Sequence, residues 1–310
     1  MLWNQIMLMP NTRGQGKATQ CTKFLTLWSR PRLYRLQTVE GKGVSLVATR
    51  HLPAGEKILE ETPILQGETE KLKDSEYVTF ALSQLSKMKR KKFGRLYNAY
   101  PEQKKVGIIN TNCYALGCDG PRSGIFEKLS SINHSCTPNA ERWWDPGRGI
   151  ETLYAIRALD EGEEITVAYT WTAARRWAER QRLLFSSWRF TCNCECCQLT
   201  GTERESSDKC RQLIRKADVM VGFHSTTEVL PLIKESLKCC EKERLFGTVC
   251  ARICYDEYQL ALQTENLREA TKFIKWAYEQ YLLGTGPGSN QTKKMAAYVQ
   301  DPTSHSLWNP

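Results

Sequence analysis

The segment Leu129–Ala140 reads LSSINHSCTPNA, and its reading decides the rest of the chain. Asn133, His134, Ser135 and Cys136 stand side by side just before a proline at 138. The flanking pattern predicts neither a long helix nor a long strand. Such a stretch is either a loop that is merely polar or the floor of a site.

A second cluster lies downstream. FTCNCECCQ, residues 190–198, holds Cys192, Cys194, Cys196 and Cys197. Four thiols in so short a run cannot all bind one tetrahedral ion without backbone strain, but Cys192, Cys194 and Cys197 form a C-x-C-x2-C subset that sets three sulfurs around a tight turn. A fourth ligand must then come from elsewhere: Cys210, Cys113, Cys118 or Cys136. Buried free cysteines rarely cluster this densely, so zinc is the reading preferred. Redox chemistry by Cys194 and Cys197 is the weaker option, because no helix start is expected after that pair. The chain has 13 cysteines, an odd number. Its first residues, MLWNQIMLMPNTRGQGK, lack the basic start, apolar stretch and small-residue cleavage site of a secretion signal. Reduced thiols in the nucleus or cytoplasm follow.

Across 310 residues, 41% are hydrophobic and 25% charged, the composition of a packed globular protein with room for one large or two modest domains. No apolar run approaches the roughly 18–20 residues that span a bilayer, so no membrane partner is expected. The net charge of +10 invites a polyanion. The densest basic run, KMKRKKFGR from Lys87 to Arg95, sits on an expected helix with little aromatic interleaving, which reads as a solvated face. Specific nucleic-acid binding is not expected.

From Leu33 onward, short β-rich runs (33–39, 44–48, 57–61) alternate with Gly41, Gly43 and the PAG of 53–55, a β-meander. Residues 72–100 carry apolar side chains every three to four positions and read as helix. AERWW, GIETLYAIRAL and EEITVAY are three further strands, and AARRWAERQRLLF is a helix entering the cysteine cluster. Beyond Ser206 the pattern is almost wholly helical. NLREATKFIKWAYEQYLL is its clearest case, with Asn266 as cap and Gly284 as stop.

GKG after a strand, NHSCTPNA, ALDEGEEITVAY and FTCNCECC, in this order, resemble the successive motifs of a SET-domain protein lysine methyltransferase with its post-SET zinc cluster. The order of four motifs is far more specific than any one of them. LYNAYP, INTNCYALG and GIFEKLSSINHSC are further similar to fungal-type SET proteins related to the SET-and-MYND group. No zinc-finger cysteine set interrupts residues 64–110, so the MYND finger is missing there.

The resemblance implies an α+β fold: small β-sheets with a knot-like substructure, then a mostly α-helical C-terminal region. The expected organisation is a loosely ordered segment over 1–30 and a SET domain over 31–171 with a helical insertion at about 70–105. A post-SET helix and cysteine cluster over 172–202 follow, then a helical region over 203–285 and a flexible tail over 286–310. It also implies S-adenosylmethionine as methyl donor, with Lys42 and Gly43 beside its methionine moiety. Asn112, Asn133 and His134 would touch the donor, and Trp188 and Phe190 would close over its adenine. Tyr169 would be the catalytic hydroxyl, Tyr114 a wall of the lysine channel, and Cys136 the fourth zinc ligand with Cys192, Cys194 and Cys197.

The reaction expected is methyl transfer to a lysine side chain of a protein substrate, histone or other, by a monomer. Transfer from sulfonium to amine is an in-line displacement, so alignment and electrostatics matter more than acid or base strength. The alternative is a catalytically idle SET-fold adaptor that binds protein partners; a zinc-dependent nucleic-acid binder is a third reading.

Overall fold

The computed structural model describes residues 32–117, 120–170, 174–220 and 226–309. The expectation of a loose segment over 1–30, and Cys118 as a candidate ligand, fall outside the described residues.

Strands β1 (Tyr34–Val39) and β2 (Gly43–Ala48) form an antiparallel hairpin in which Tyr34 faces Ala48. The turn between them needs φ of +70° at Gly41 and +78° at Gly43, the left-handed region that only glycine enters at little cost. Strands β3 (Lys57–Glu61) and β4 (Leu65–Glu68) come next. The insertion is three short helices, α1 (Ser75–Ser83), α2 (Lys87–Phe93) and α3 (Lys104–Asn112). The single helical run expected over 72–100 breaks because Ser86 caps a new helix, accepting from Lys89 N at 3.3 Å.

Strands β5 (Cys113–Ala115), β6 (Arg122–Ile125), β7 (Asn133–His134), β8 (Ala140–Asp145), β9 (Ile150–Ala155) and β10 (Thr166–Val167) complete four small sheets among the described residues. The three-stranded sheets run β3-β9-β8 and β4-β6-β5, all antiparallel. The pair β7–β10 is parallel and only two residues long on each side. Leu46, Phe126, Ile132, Leu153 and Ile165, all fully buried, fill the space between these sheets. Each contributes about 1.5–3 kcal/mol on leaving water.

Helix α4 (Trp177–Trp188) ends on Arg189 at φ +56° and turns the chain into the cysteine run. There α5 (Glu195–Gln198) is a single helical turn starting directly after Cys194. A helix start was not expected at that point; its one turn folds Cys197 back toward Cys194, whose carbonyl accepts from Cys197 N at 2.7 Å.

Helices α6 (Gly201–Met220), α7 (Thr226–Lys242), α8 (Thr248–Gln263), α9 (Leu267–Thr285) and α10 (Asn290–Gln300) make the C-terminal half. Their core gathers Ile233, Cys254, Tyr258, Ala270 and Ile274. Asn266 caps α9 as expected, accepting from Glu269 N at 3.1 Å. The stop is Gly286 at φ +70° instead of Gly284, which lies inside the helix where a Cβ would come within 2.3 Å of Glu141. The stretch 286–310, expected as a flexible tail, holds α10: Ser289 caps it at 3.0 Å from Thr292 N, and Met295 is buried in the same core as α9. Its polar composition concealed one buried row. Among the described residues no helix is long and apolar enough to cross a membrane.

Candidate active site and metal centre

The segment LSSINHSC is held at both ends. Upstream, the Glu61 carboxylate at the end of β3 accepts from the N–H groups of Glu127, Lys128 and Leu129 at 2.9–3.0 Å. Burial pushes this carboxyl up in pKa, against the pull of those three donors. Downstream, Asn139 Oδ1 accepts from Thr166 N at 2.8 Å while its Nδ2 donates to Glu164 O at 2.8 Å. Between the anchors, β7 lies parallel to β10, with Asn133 opposite Thr166 and His134 opposite Val167.

That register delivers Tyr169 beside His134. Tyr169 N donates to His134 Nδ1 at 3.1 Å, so the ring proton is on Nε2, which faces Cys136 Sγ at 3.4 Å. Burial lowers the His134 pKa to about 4, and the ring is neutral at pH 7. Both of its nitrogens therefore serve the fold, one holding Tyr169 and the other Cys136. The Tyr169 hydroxyl donates to Ile132 O at 2.8 Å, and its ring lies 5.2 Å from Trp188 and 6.2 Å from Phe190. Tyr114 sends its hydroxyl to Leu129 O at 3.0 Å, three residues back on the same segment. The Arg142 guanidinium stacks on the Tyr114 ring at 3.9 Å. Burial raises both phenols, Tyr114 to about 12 and Tyr169 well above its ordinary value.

Asn133 points the other way. Its Nδ2 donates to Glu164 Oε1 at 2.8 Å, and Lys42 Nζ donates to Glu164 Oε2 at 2.7 Å. Burial works against the charge on Glu164, but these two hydrogen bonds outweigh it and hold the carboxyl below its usual range. Next to Lys42, an added Cβ at Gly43 would meet nothing within 4 Å among the described residues, which leave this face of the hairpin open. An ammonium, a carboxylate and an amide beside an open glycine suit the zwitterionic end of an amino acid such as the methionine moiety of the donor. Trp188 Nε1 donates to Thr111 O at 3.1 Å, which brings the end of α4 against the end of α3. Asn112 is buried there with Nδ2 donating to Tyr97 O at 2.7 Å and Ile108 O at 2.8 Å. Its amide hydrogens hold the insertion together.

Cys136, Cys192, Cys194 and Cys197 are all buried, with sulfurs within 4.8 Å of one another. Cys136 Sγ is 3.5 Å from Cys197 Sγ. A tetrahedral zinc with Zn–S near 2.3 Å places its sulfurs about 3.8 Å apart, so the four thiols fit such an ion. Cys113 and Cys210 are not among them. Four thiolates packed this closely without a cation would repel strongly.

Several residues of this region were not singled out by sequence. Glu164 lay in the expected strand EEITVAY without a role of its own, and its partner Lys42 is 122 positions away. Glu61, Arg180 and Arg211 carried no motif at all.

Residues 43–170 match the SET domain. The chain is 27% identical over 279 residues to histone-lysine N-methyltransferase set5 of Schizosaccharomyces pombe, covering 89% of this chain and 86% of that protein. It is 32% identical over 156 residues to histone-lysine N-methyltransferase Smyd1 of Mus musculus, 46% of this chain and 30% of that one. Over 98 residues it is 34% identical to protein-lysine N-trimethyltransferase SMYD5 of Danio rerio, 30% of this chain and 23% of that relative. Thus the chain spans most of the Schizosaccharomyces pombe relative but less than a third of the two SET-and-MYND relatives. With the four ordered motifs, these similarities support S-adenosylmethionine-dependent methylation of protein lysines by a chain that carries a SET domain over residues 43–170 and is related to the SET-and-MYND group.

Proposed function

We propose that Tyr169 is the catalytic hydroxyl of this enzyme and that Lys42, Gly43, Asn133 and the backbone at His134 bind the methionine end of the donor. Trp188 and Phe190 cover its adenine, with Asn112 supporting that wall from behind. The observation that carries this reading is the parallel β7–β10 register, which couples Asn133, His134 and Tyr169 in one hydrogen-bonded unit.

S-adenosylmethionine supplies a methyl group on a positively charged sulfur. The chain's task is to align a neutral amine with that carbon. A lysine side chain, with an ordinary pKa near 10.4, loses its proton more readily once desolvated beside aromatic rings. Neither Tyr169 nor Tyr114 can take that proton at neutral pH, because burial keeps both phenols protonated. They act as fixed hydrogen-bonding groups, and the proton leaves to water. Tyr169 orients the amine, while Tyr114, clamped between Arg142 and Leu129 O, walls the channel. The four thiols of Cys136, Cys192, Cys194 and Cys197 hold a zinc ion whose role is structural, since a closed site of four cysteines leaves no open position for substrate.

Histone and non-histone proteins both fit as substrates, and the nucleus and cytoplasm both fit as locations. The test pairs donor binding with turnover. Calorimetry on the full chain should show S-adenosylmethionine binding that Asn133→Ala weakens, and labelled methyl groups should appear on lysines of a histone mixture or cell extract. A chain that binds no donor and labels nothing would be an idle adaptor, and this reading would fail.

A further inference from the structure

A fifth cysteine stands beside the four. Cys196 is buried but is not one of the converging sulfurs. Two guanidinium groups reach it instead: Arg211 Nη2 donates to Cys196 Sγ at 3.1 Å, and Arg180 Nη2 at 3.4 Å. These arginines are 0% and 1% exposed. Taking a cation that far from water costs several kcal/mol unless its charge is answered nearby.

Arg211 belongs to α6, outside the SET domain, and its fork is divided. Nε donates to Glu243 Oε2 at 2.9 Å, just past the end of α7. Nη1 donates to Cys136 O at 3.2 Å, and Nη2 to the non-ligand sulfur. Ser207 Oγ braces the same Glu243 oxygen at 2.7 Å. A guanidinium that only cemented α6 to α7 would need the carboxylate alone. Here two of its nitrogens are turned onto the cysteine loop and onto the backbone of the very residue that ends NHSC.

The charges point the same way. Four thiolates around one divalent cation leave about two negative charges in excess. Buried N–H donors aimed at the sulfur-rich loop offset that excess and fix the loop's shape, the part that outer-sphere groups play around metals.

We propose that Arg211 is a positioning residue for the metal centre and, through the Cys136 carbonyl, for the donor-binding segment Asn133–Cys136. The C-terminal helices are on this view a structural component of the methyl-transfer site. The inference rests on Cys136, Cys192, Cys194 and Cys197 holding zinc.

The test uses the full chain loaded with zinc and follows zinc release to a coloured chelator, alongside kcat and KM for S-adenosylmethionine. Arg211→Met should release zinc about 10- to 100-fold faster than wild type, with unchanged helical content by circular dichroism. Its KM for the donor should rise more than its kcat falls. Arg211→Lys, which keeps the charge but not the fork, should fall between. Wild-type release and donor KM in Arg211→Met would overturn the proposal and leave the arginine as helix cement. Should that variant fail to fold, Glu243→Gln decides: it loosens the guanidinium without removing it, and an unchanged release rate there also overturns the proposal. A wild-type chain that holds no zinc defeats the metal reading and this one together, whereas zinc held equally by all variants defeats this one alone.

Discussion

At the scale of single residues, two side chains make sharp predictions. Tyr169 donates its hydroxyl to Ile132 O and keeps its ring among His134, Trp188 and Phe190. Tyr169→Phe keeps the ring and removes the hydroxyl, so kcat for methyl transfer should fall about 10²- to 10³-fold while the donor Kd by calorimetry changes little. Glu151 is the second. It is 2% exposed, accepts from Arg142 Nη1 at 2.8 Å through Oε1, and its Oε2 has no hydrogen-bond partner among the described residues. Burial, only partly offset by Arg142, raises its pKa to about 7. The folded protein thus holds a proton that the unfolded chain releases near 4.5. Stability from this group is full below pH 4.5 and is lost as pH climbs to 7, by at most about 3 kcal/mol. Glu151→Gln should remove that slope in urea unfolding measured between pH 4.5 and 8; an unchanged slope would place the titration elsewhere.

Among elements, the sequence was legible where periodicity and turn chemistry agreed. The hairpin around Gly41 and Gly43, the strands over 57–61 and 140–145, and the capped helix after Asn266 all follow from local pattern. Strands β4, β5 and β6 did not, because at three or four residues they are too short for alternation to register. Long-range capping was equally hidden. Helix α8 begins on Gly247 with no cap from its own chain neighbours; Glu141 of β8 supplies it, accepting from Thr248 N at 3.0 Å and from the Thr248 hydroxyl. Glu141→Leu should cost about 2–3 kcal/mol in urea unfolding, since two hydrogen bonds to a part-buried carboxyl and a helix cap are lost together. A loss below about half a kcal/mol would mean that water caps α8 equally well.

On the whole-molecule scale, the motifs held the four cysteines that converge and the paired segments β7 and β10, and their order along the chain announced the fold. What no motif carried was the support. Glu61 reaches the NHSC segment from 68 residues upstream of Leu129, and Arg211 from 75 residues downstream of Cys136. Such contacts exist only once the topology is closed. Metal removal tests that closure: prolonged chelation should abolish donor binding and lower the unfolding temperature, and zinc should restore both. The parallel pairing of β7 with β10 adds a consequence for synthesis. Its partners lie about thirty positions apart, and the post-SET cysteines and Glu243 come later still. With Arg211 as a positioning residue, the cysteine loop gains its last support during translation only after α7 has emerged, and a chain interrupted between α5 and α7 should hold zinc and donor more weakly than the full chain.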